Sequence, residues 1–168
     1  MRHLAHHQFP VQVKWTGGRD SVGEVTGNHI QHKISIPSEL GGVGIGTNPD
    51  ELLVSAAASC MTISLAATLE RAHLTPIAIN MQSYGEAQFE QQRFKMVKII
   101  HKPKIIVDQL SKKDQIEKRL SQLIKIADQN CMISNSVRGN VAVETEPIIK
   151  IQSSQSSSNS NHLIKKSK

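Results

Sequence analysis

The chain has 168 residues, a net charge of +6, 38% hydrophobic residues and only 3% aromatic residues. So few rings argue against single-stranded nucleic-acid binders, which stack bases on aromatic side chains. No window approaches 18 uninterrupted apolar residues, which speaks against a membrane span, and two cysteines, Cys60 and Cys131, are too few for a disulfide framework or an all-cysteine zinc site.

The length fits one domain. The start, MRHLAHHQFP, lacks the apolar run of a signal peptide, so the cytoplasm is the expected location. Charge divides unevenly: residues 1–89 carry a net −2 and residues 90–168 a net +8. The lysines of the second half stand between apolar residues that must point inward. They are expected to form solvated faces, with no specific nucleic-acid partner.

Residues 1–8 are expected to be a flexible N-terminus. Its His3, His6 and His7 make an adventitious rather than a structural metal cluster, so no metal and no cofactor are expected. Phe9 to Trp15 alternates through Phe9, Val11, Val13 and Trp15, the pattern of a strand. Thr16-Gly17-Gly18 signals a turn, and Ser21 to Thr26 returns as a second strand. After a turn at Asn28-His29, Ile30 to Ile36 predicts a third strand with Ile34 and Ile36 inward. Pro37 to Asn48 is a glycine-rich loop without the Lys-Ser/Thr ending of a phosphate-binding loop.

A long helix is predicted from Pro49 to about His73. Asn48 suits its N-cap, Pro49 its first position, and Glu51 the acidic place of a capping box. Its interior is almost wholly small or apolar. A helix apolar all round is buried all round, which puts it at the centre of the fold or of a dimer.

Thr75 to Phe89 and Phe94 to Val107 predict a long hairpin turning near Glu90-Gln91-Gln92, with Pro103 bending its second strand or lying at an edge. Ser111 is the expected cap of a second helix, Lys112 to Asn130, whose stripe is Ile116, Leu120, Leu123, Ile124 and Ala127. One short strand falls within Val137 to Glu144. The tail 152–168 is Ser/Asn-rich and predicted to be disordered, leaving 9–151 as the folded unit. Strands and helices in this order make an α+β fold, with mostly antiparallel sheet around a long buried central helix.

Taken alone, Cys60 reads as a core thiol, since free cysteine is among the most buried residue types. It becomes reactive only with a cation beside it. Cys131 lies at a helix C-terminus, where the dipole disfavours a thiolate. Taken alone, Glu51 reads as a helix cap and Arg19 as a turn residue.

Three segments change the weight of these readings. Pro37, Leu40-Gly41-Gly42, Gly44 and Thr47-Asn48-Pro49 lead into a helix carrying Ser59-Cys60. Cys131-Met132-Ile133-Ser134-Asn135 is followed by Arg138-Gly139-Asn140, and Gly18-Arg19-Asp20 stands near the start. Together, over about residues 9–146, they resemble the OsmC/Ohr family, leaning toward its organic hydroperoxide resistance branch. Met132 stands where the family pattern has proline.

The resemblance implies a thiol peroxidase for organic hydroperoxides. Cys60 would attack the peroxide and become a sulfenic acid, and Cys131 would close a disulfide with it. Arg19 would hold the thiolate and Glu51 would orient the guanidinium. The family's reductant is a dithiol, often a lipoyl group, and its architecture is an intertwined homodimer. Glu51 and Cys60 are nine residues apart, about 180° around and about 13.5 Å along a straight helix. The expectation is therefore that Arg19 and Glu51 of one subunit complete the site around Cys60 of the other. The alternative is a stress protein of the same fold acting as a redox sensor or small-molecule binder without turnover.

Overall fold

A computed structural model describes residues 6–152. The expected flexible start and Ser/Asn-rich tail fall mostly at 1–5 and 153–168, outside the described residues. Gln152, placed in the tail by sequence, still belongs to the fold: its N–H donates to the Val107 carbonyl at 2.8 Å.

The chain opens with a three-stranded antiparallel sheet, β1 (Val11–Lys14), β2 (Gly23–Gly27) and β3 (Gln31–Ile34). The alternation of β1 is real, but Val11, Val13 and Trp15 remain exposed, and Ile34 and Ile36 are only half-buried. This sheet does not pack extensively on the helices of its own chain. The loop that follows contains a single 3-10 turn, Ser38–Leu40, and folds back on β3, where Thr47 and Lys33 or Ser35 exchange backbone hydrogen bonds. Gly46 has φ +79°, and a Cβ there would collide with the Lys33 carbonyl, so the return path requires glycine.

Helix α1 (Pro49–Arg71) begins as its sequence dictates. The Asn48 side chain accepts from the Glu51 N–H at 2.9 Å, and Pro49 fills the first position. It ends two residues before the predicted His73. His73 adopts the left-handed conformation (φ 59°), its N–H reaching Glu70 O and the Leu74 N–H reaching Leu69 O. This pair of bonds is a Schellman stop, with buried Leu74 as its apolar anchor. By length and composition α1 would pass for a membrane-crossing helix.

Within the chain, however, α1 is not buried all round. Ala57, Met61, Leu65 and Leu69 are buried on one face, while Leu53 and Ile63 are exposed, Ile63 by 70%. The expectation of burial on every side fails within one chain because only α2, α3 and one sheet cover the helix.

β4 (Ala78–Glu90) and β5 (Arg93–Val107) form the predicted hairpin. Gln91 and Gln92 both take positive φ (50° and 62°), as a two-residue hairpin turn demands. Gly85 brings β4 close to α1: a Cβ there would stand 2.6 Å from Val54 Cγ2. α2 (Leu110–Asn130) starts two residues earlier than the predicted Lys112. Gln109 is its N-cap, without a side-chain cap bond, and Ser111 lies inside the helix. A short α3 (Met132–Val137) follows at once.

β6 (Ala142–Thr145) and β7 (Ile148–Ile151) both pair with β5, and both run parallel to it. The sheet is therefore mixed. The crossover through α2 and α3 returns the chain to the start of β5, which makes the next strands parallel. β7 has no counterpart in the sequence reading. Pro103 is not at a sheet edge. It is buried in central β5, between the stretch paired with β6 and the stretch paired with β7, where no ladder donor is required.

Four lysines of the basic half find acids. Lys98 pairs with Glu144, Lys102 with Glu146, Lys112 with Asp108 and Lys113 with Glu117.

Candidate active site

The core of the larger unit is formed by one face of α1 and the stripe of α2 lying on the inward face of β5. Its main cluster holds Met61, Leu65, Ile105, Ile116 and Leu123, and Cys131 is a buried member of it. Cys60, one residue before Met61, is half-buried and packs on the same cluster. The two thiols, 71 positions apart in sequence, are close enough for Cys60 to act on the proton of Cys131, and both are free.

Cys131 occupies a junction. It caps the C-terminus of α2, as its sequence position suggested, and it is also the N-cap of α3, its sulfur accepting the Ser134 N–H at 3.4 Å. Burial, and after it the neighbouring Cys60 thiol, push the Cys131 thiol above the ordinary cysteine range, partly opposed by Ser134, whose N–H bonds the sulfur. Cys131 is thus held as a protonated thiol against its partner sulfur. Arg138, in the same motif, donates to Asp128 at 2.8 Å and to Asn135 at 3.2 Å, closing the α2–α3 corner.

Arg19 and Glu51 lie elsewhere. The Arg19 guanidinium donates to the Leu40 carbonyl at 2.7 Å and the Gly41 carbonyl at 3.1 Å, and it is mostly exposed. Glu51 is exposed at the first turn of α1, where its carboxylate accepts the Thr47 hydroxyl at 2.5 Å. The two side chains therefore grip opposite ends of the same glycine-rich loop and do not pair with each other. Within one chain the structure brings Cys60 and Cys131 together and leaves Arg19 and Glu51 apart from each other.

A surface cavity of about 440 Å³ opens beside Glu51, lined by Glu51, Val54, Ser55, Ala58, Tyr84 and Met96. Its walls are mainly apolar, and neither cysteine lines it. Tyr84 and, on β5, His101 are polar groups near these features that motif reading passed over. For His101 a signal existed: Ile99, Pro103, Ile105 and Val107 are inward on β5, and the same parity places His101 in the core.

Comparison with known proteins places the chain in a family. The family model for OsmC-like protein matches residues 41–146. The chain is 37% identical over 148 residues to the uncharacterized protein YmaD of Bacillus subtilis, covering 88% of this chain and 98% of that protein. It is 30% identical over 131 residues to the organic hydroperoxide resistance protein of Xanthomonas axonopodis pv. citri, covering 76% and 86%. A crystal structure of an organic hydroperoxide resistance protein OsmC from Legionella pneumophila superposes with a TM-score of 0.68 at 23% identity, over 84% of this chain and 98% of that one, a likeness of fold. An α+β fold with a central helix, two cysteines meeting at its middle, and a family match spanning most of the folded unit lead to one assignment: the chain belongs to the OsmC-like protein family.

Proposed function

We propose that the protein is a cysteine-based peroxidase that reduces organic hydroperoxides to alcohols. The observation that carries this reading is the meeting of Cys60 and Cys131 as free, neighbouring thiols inside one chain. The names of its hydroperoxide resistance relatives support it.

The chemistry runs in two halves. The Cys60 thiolate attacks the terminal peroxide oxygen, the O–O bond breaks, and the alkoxide leaves as alcohol after taking a proton. Cys60 is then a sulfenic acid, reversible as long as a thiol reaches it before further oxidation. Cys131 attacks the Cys60 sulfur, forming the disulfide and releasing water. An external dithiol, of lipoyl type, restores both thiols by exchange. A reducing cytoplasm suits this cycle.

A reactive thiolate needs a cation. Among the described residues the hydrogen bonds of Arg19 run to Asp20, Leu40 and Gly41 and not to Cys60, so we assign this role to Arg19 of a second subunit, which would leave the Leu40 and Gly41 carbonyls to be oriented by that subunit's Glu51. Two exposed apolar surfaces support a homodimer: the Leu53–Ile63 face of α1, and the first sheet with its uncovered Val11, Val13 and Trp15. If Glu51 meets the cysteine of the other subunit, the cavity beside it is room for the alkyl tail of the substrate, and its apolar wall favours alkyl over hydrogen peroxide.

The test is turnover. Reduced protein, cumene hydroperoxide and dihydrolipoamide are mixed, and peroxide loss is followed for the parent, Cys60→Ser and Cys131→Ser. The reading predicts sustained loss with the parent, none above background with Cys60→Ser, and about one equivalent consumed with Cys131→Ser when the dithiol is absent. Turnover that survives Cys60→Ser contradicts it.

A further inference from the structure

Ser83 of β4 and His101 of β5 are register partners, and the Ser83 hydroxyl lies 2.7 Å from Nδ1 of the ring. The two-cysteine cycle uses neither. His101 is fully buried between Ile99 and Pro103 on the inward face of its strand. Ser83 is half-buried on the matching face of β4, the face that Gly85 turns against Val54 of α1. Two apolar residues would fill these positions with no hydrogen bond left unmade, so the polar pair asks for a reason.

The cavity beside Glu51 supplies one. It lies between α1 and β4, and Ser83 is part of its wall, near Val54, Ala58 and Met96. The ring decides what the hydroxyl can do there. Among the described residues Nε2 is buried without a partner. Burial also lowers the affinity of the ring for a proton and so keeps it neutral. A neutral imidazole carries one N–H and one bare nitrogen. A buried N–H without an acceptor is rarer in proteins than an acceptor without a donor. The ring proton therefore belongs on Nδ1, where Ser83 Oγ accepts it, and Nε2 keeps its bare lone pair. The Ser83 hydroxyl then has its own hydrogen left to donate, and among the described residues no acceptor takes it.

Charge sets a second condition. Asp50 and Glu51 line the cavity, and no lysine, arginine or histidine does so among the described residues. An anion entering it would meet two carboxylates and no counter-charge. In the peroxidase reading Arg19 is committed to the thiolate and does not serve this wall.

We propose that Ser83 is the hydrogen-bond donor of this cavity, with His101 its positioning residue, and that the cavity selects uncharged molecules carrying an acceptor oxygen on an apolar chain. Ser83 donates to a carbonyl, ester or ether oxygen, and the apolar wall covers the chain. The step from ligand to substrate rests on the peroxidase reading: the preferred hydroperoxides are then neutral ones with such an oxygen, esters ahead of free carboxylates.

Two arms test this in the full-length protein. The first needs no turnover. Long-range proton–nitrogen NMR spectra of the His101 ring should show the Nδ1–H tautomer. A proton on Nε2 overturns the proposal, because the Ser83 hydrogen would then be spent on Nδ1. In amide titrations, 2-octanone should shift Val54, Ser55 and Gly85. Ser83→Ala should weaken its binding about fivefold, the worth of one neutral hydrogen bond, and Ser83→Thr, which keeps a hydroxyl, should stay within about twofold of the parent. Octanoate should bind about tenfold more weakly than 2-octanone, the scale of a unit charge acting near a protein surface, and Asp50→Asn should narrow that gap. No shift at these residues, equal affinity in parent and Ser83→Ala, or octanoate binding as tightly as the ketone overturns the proposal.

The second arm compares kcat/KM for cumene hydroperoxide, which has no acceptor oxygen beyond its peroxide, with that for the hydroperoxide of methyl linoleate. Ser83→Ala should lower the value for the ester about fivefold and leave that for cumene hydroperoxide within about twofold. Equal losses for both overturn the proposal. If the parent turns over neither peroxide while the first arm holds, the peroxidase reading fails and the binding site stands. If the parent turns over both while the first arm fails, the site is overturned and the peroxidase reading stands.

Discussion

The two faces of α1 are chemically unlike. One face carries Ala57, Met61, Leu65 and Leu69 into a closed core, and at its middle Cys60 meets Cys131. The other presents Leu53 and Ile63 to the outside. The packed face needs nothing beyond its own chain. The open face holds apolar side chains; at the start of the helix a carboxylate is bonded only locally and, across the loop, an arginine is engaged with backbone carbonyls. One chain thus contains a complete dithiol but only scattered parts of the machinery that would activate it, and the open face is where the remainder is expected to arrive.

Breaking the packed face gives the largest effects. Cys60→Ser should abolish hydroperoxide turnover by at least about 10³-fold, as removal of a nucleophile does, read as peroxide loss with excess dithiol. Leu65→Ala should destabilise the chain by about 2–5 kcal/mol, the usual range for a fully buried leucine, read as a lower urea midpoint at unchanged slope. Ile63→Glu, on the open face, sharpens the contrast. It should leave the chain folded by circular dichroism but shift sedimentation from dimer to monomer and reduce turnover. If Ile63→Glu stays dimeric and fully active, the open face is not the interface.

Smaller effects follow at the helix start and in the core beneath it. Asn48→Ala removes the side-chain cap on the Glu51 N–H and should cost about 1 kcal/mol, again read by urea unfolding. Acidification provides a gentle test of the buried ring. His101 binds its proton less readily in the fold than in the unfolded chain, whose ordinary value is 6.5. Its contribution to stability is therefore present above that value and is lost as the pH falls below it. The urea midpoint should decline through this range, and His101→Gln should flatten the decline.

Much of this was legible in the sequence, for physical reasons that differ by region. The cap Asn48-Pro49, the apolar run of α1, the hairpin turn at Gln91-Gln92 and the stripe of α2 are all set by local chemistry, and each appears where it was expected. Ser111 did not become a cap because α2 begins earlier, at Leu110 behind Gln109. The parallel direction of β6 and the existence of β7 depend on where the α2–α3 crossover lands, which no local pattern encodes. The one-sided burial of α1 within its own chain was not legible because an all-apolar helix gives no hint of which of its faces that chain covers. At the candidate site, motif reading found both cysteines but passed over His101. Its signal, a histidine in phase with buried Ile99 and Ile105, lies in strand parity rather than in a motif.

The pairing of Cys60 with Cys131 in chemistry, as well as in space, is tested most directly by peptide mass mapping after one equivalent of cumene hydroperoxide. The account predicts a single Cys60–Cys131 disulfide in the parent protein and, in Cys131→Ser, a dimedone adduct on Cys60. Two unmodified thiols in the treated parent protein, or an adduct on Cys131 with Cys60 untouched, would contradict it.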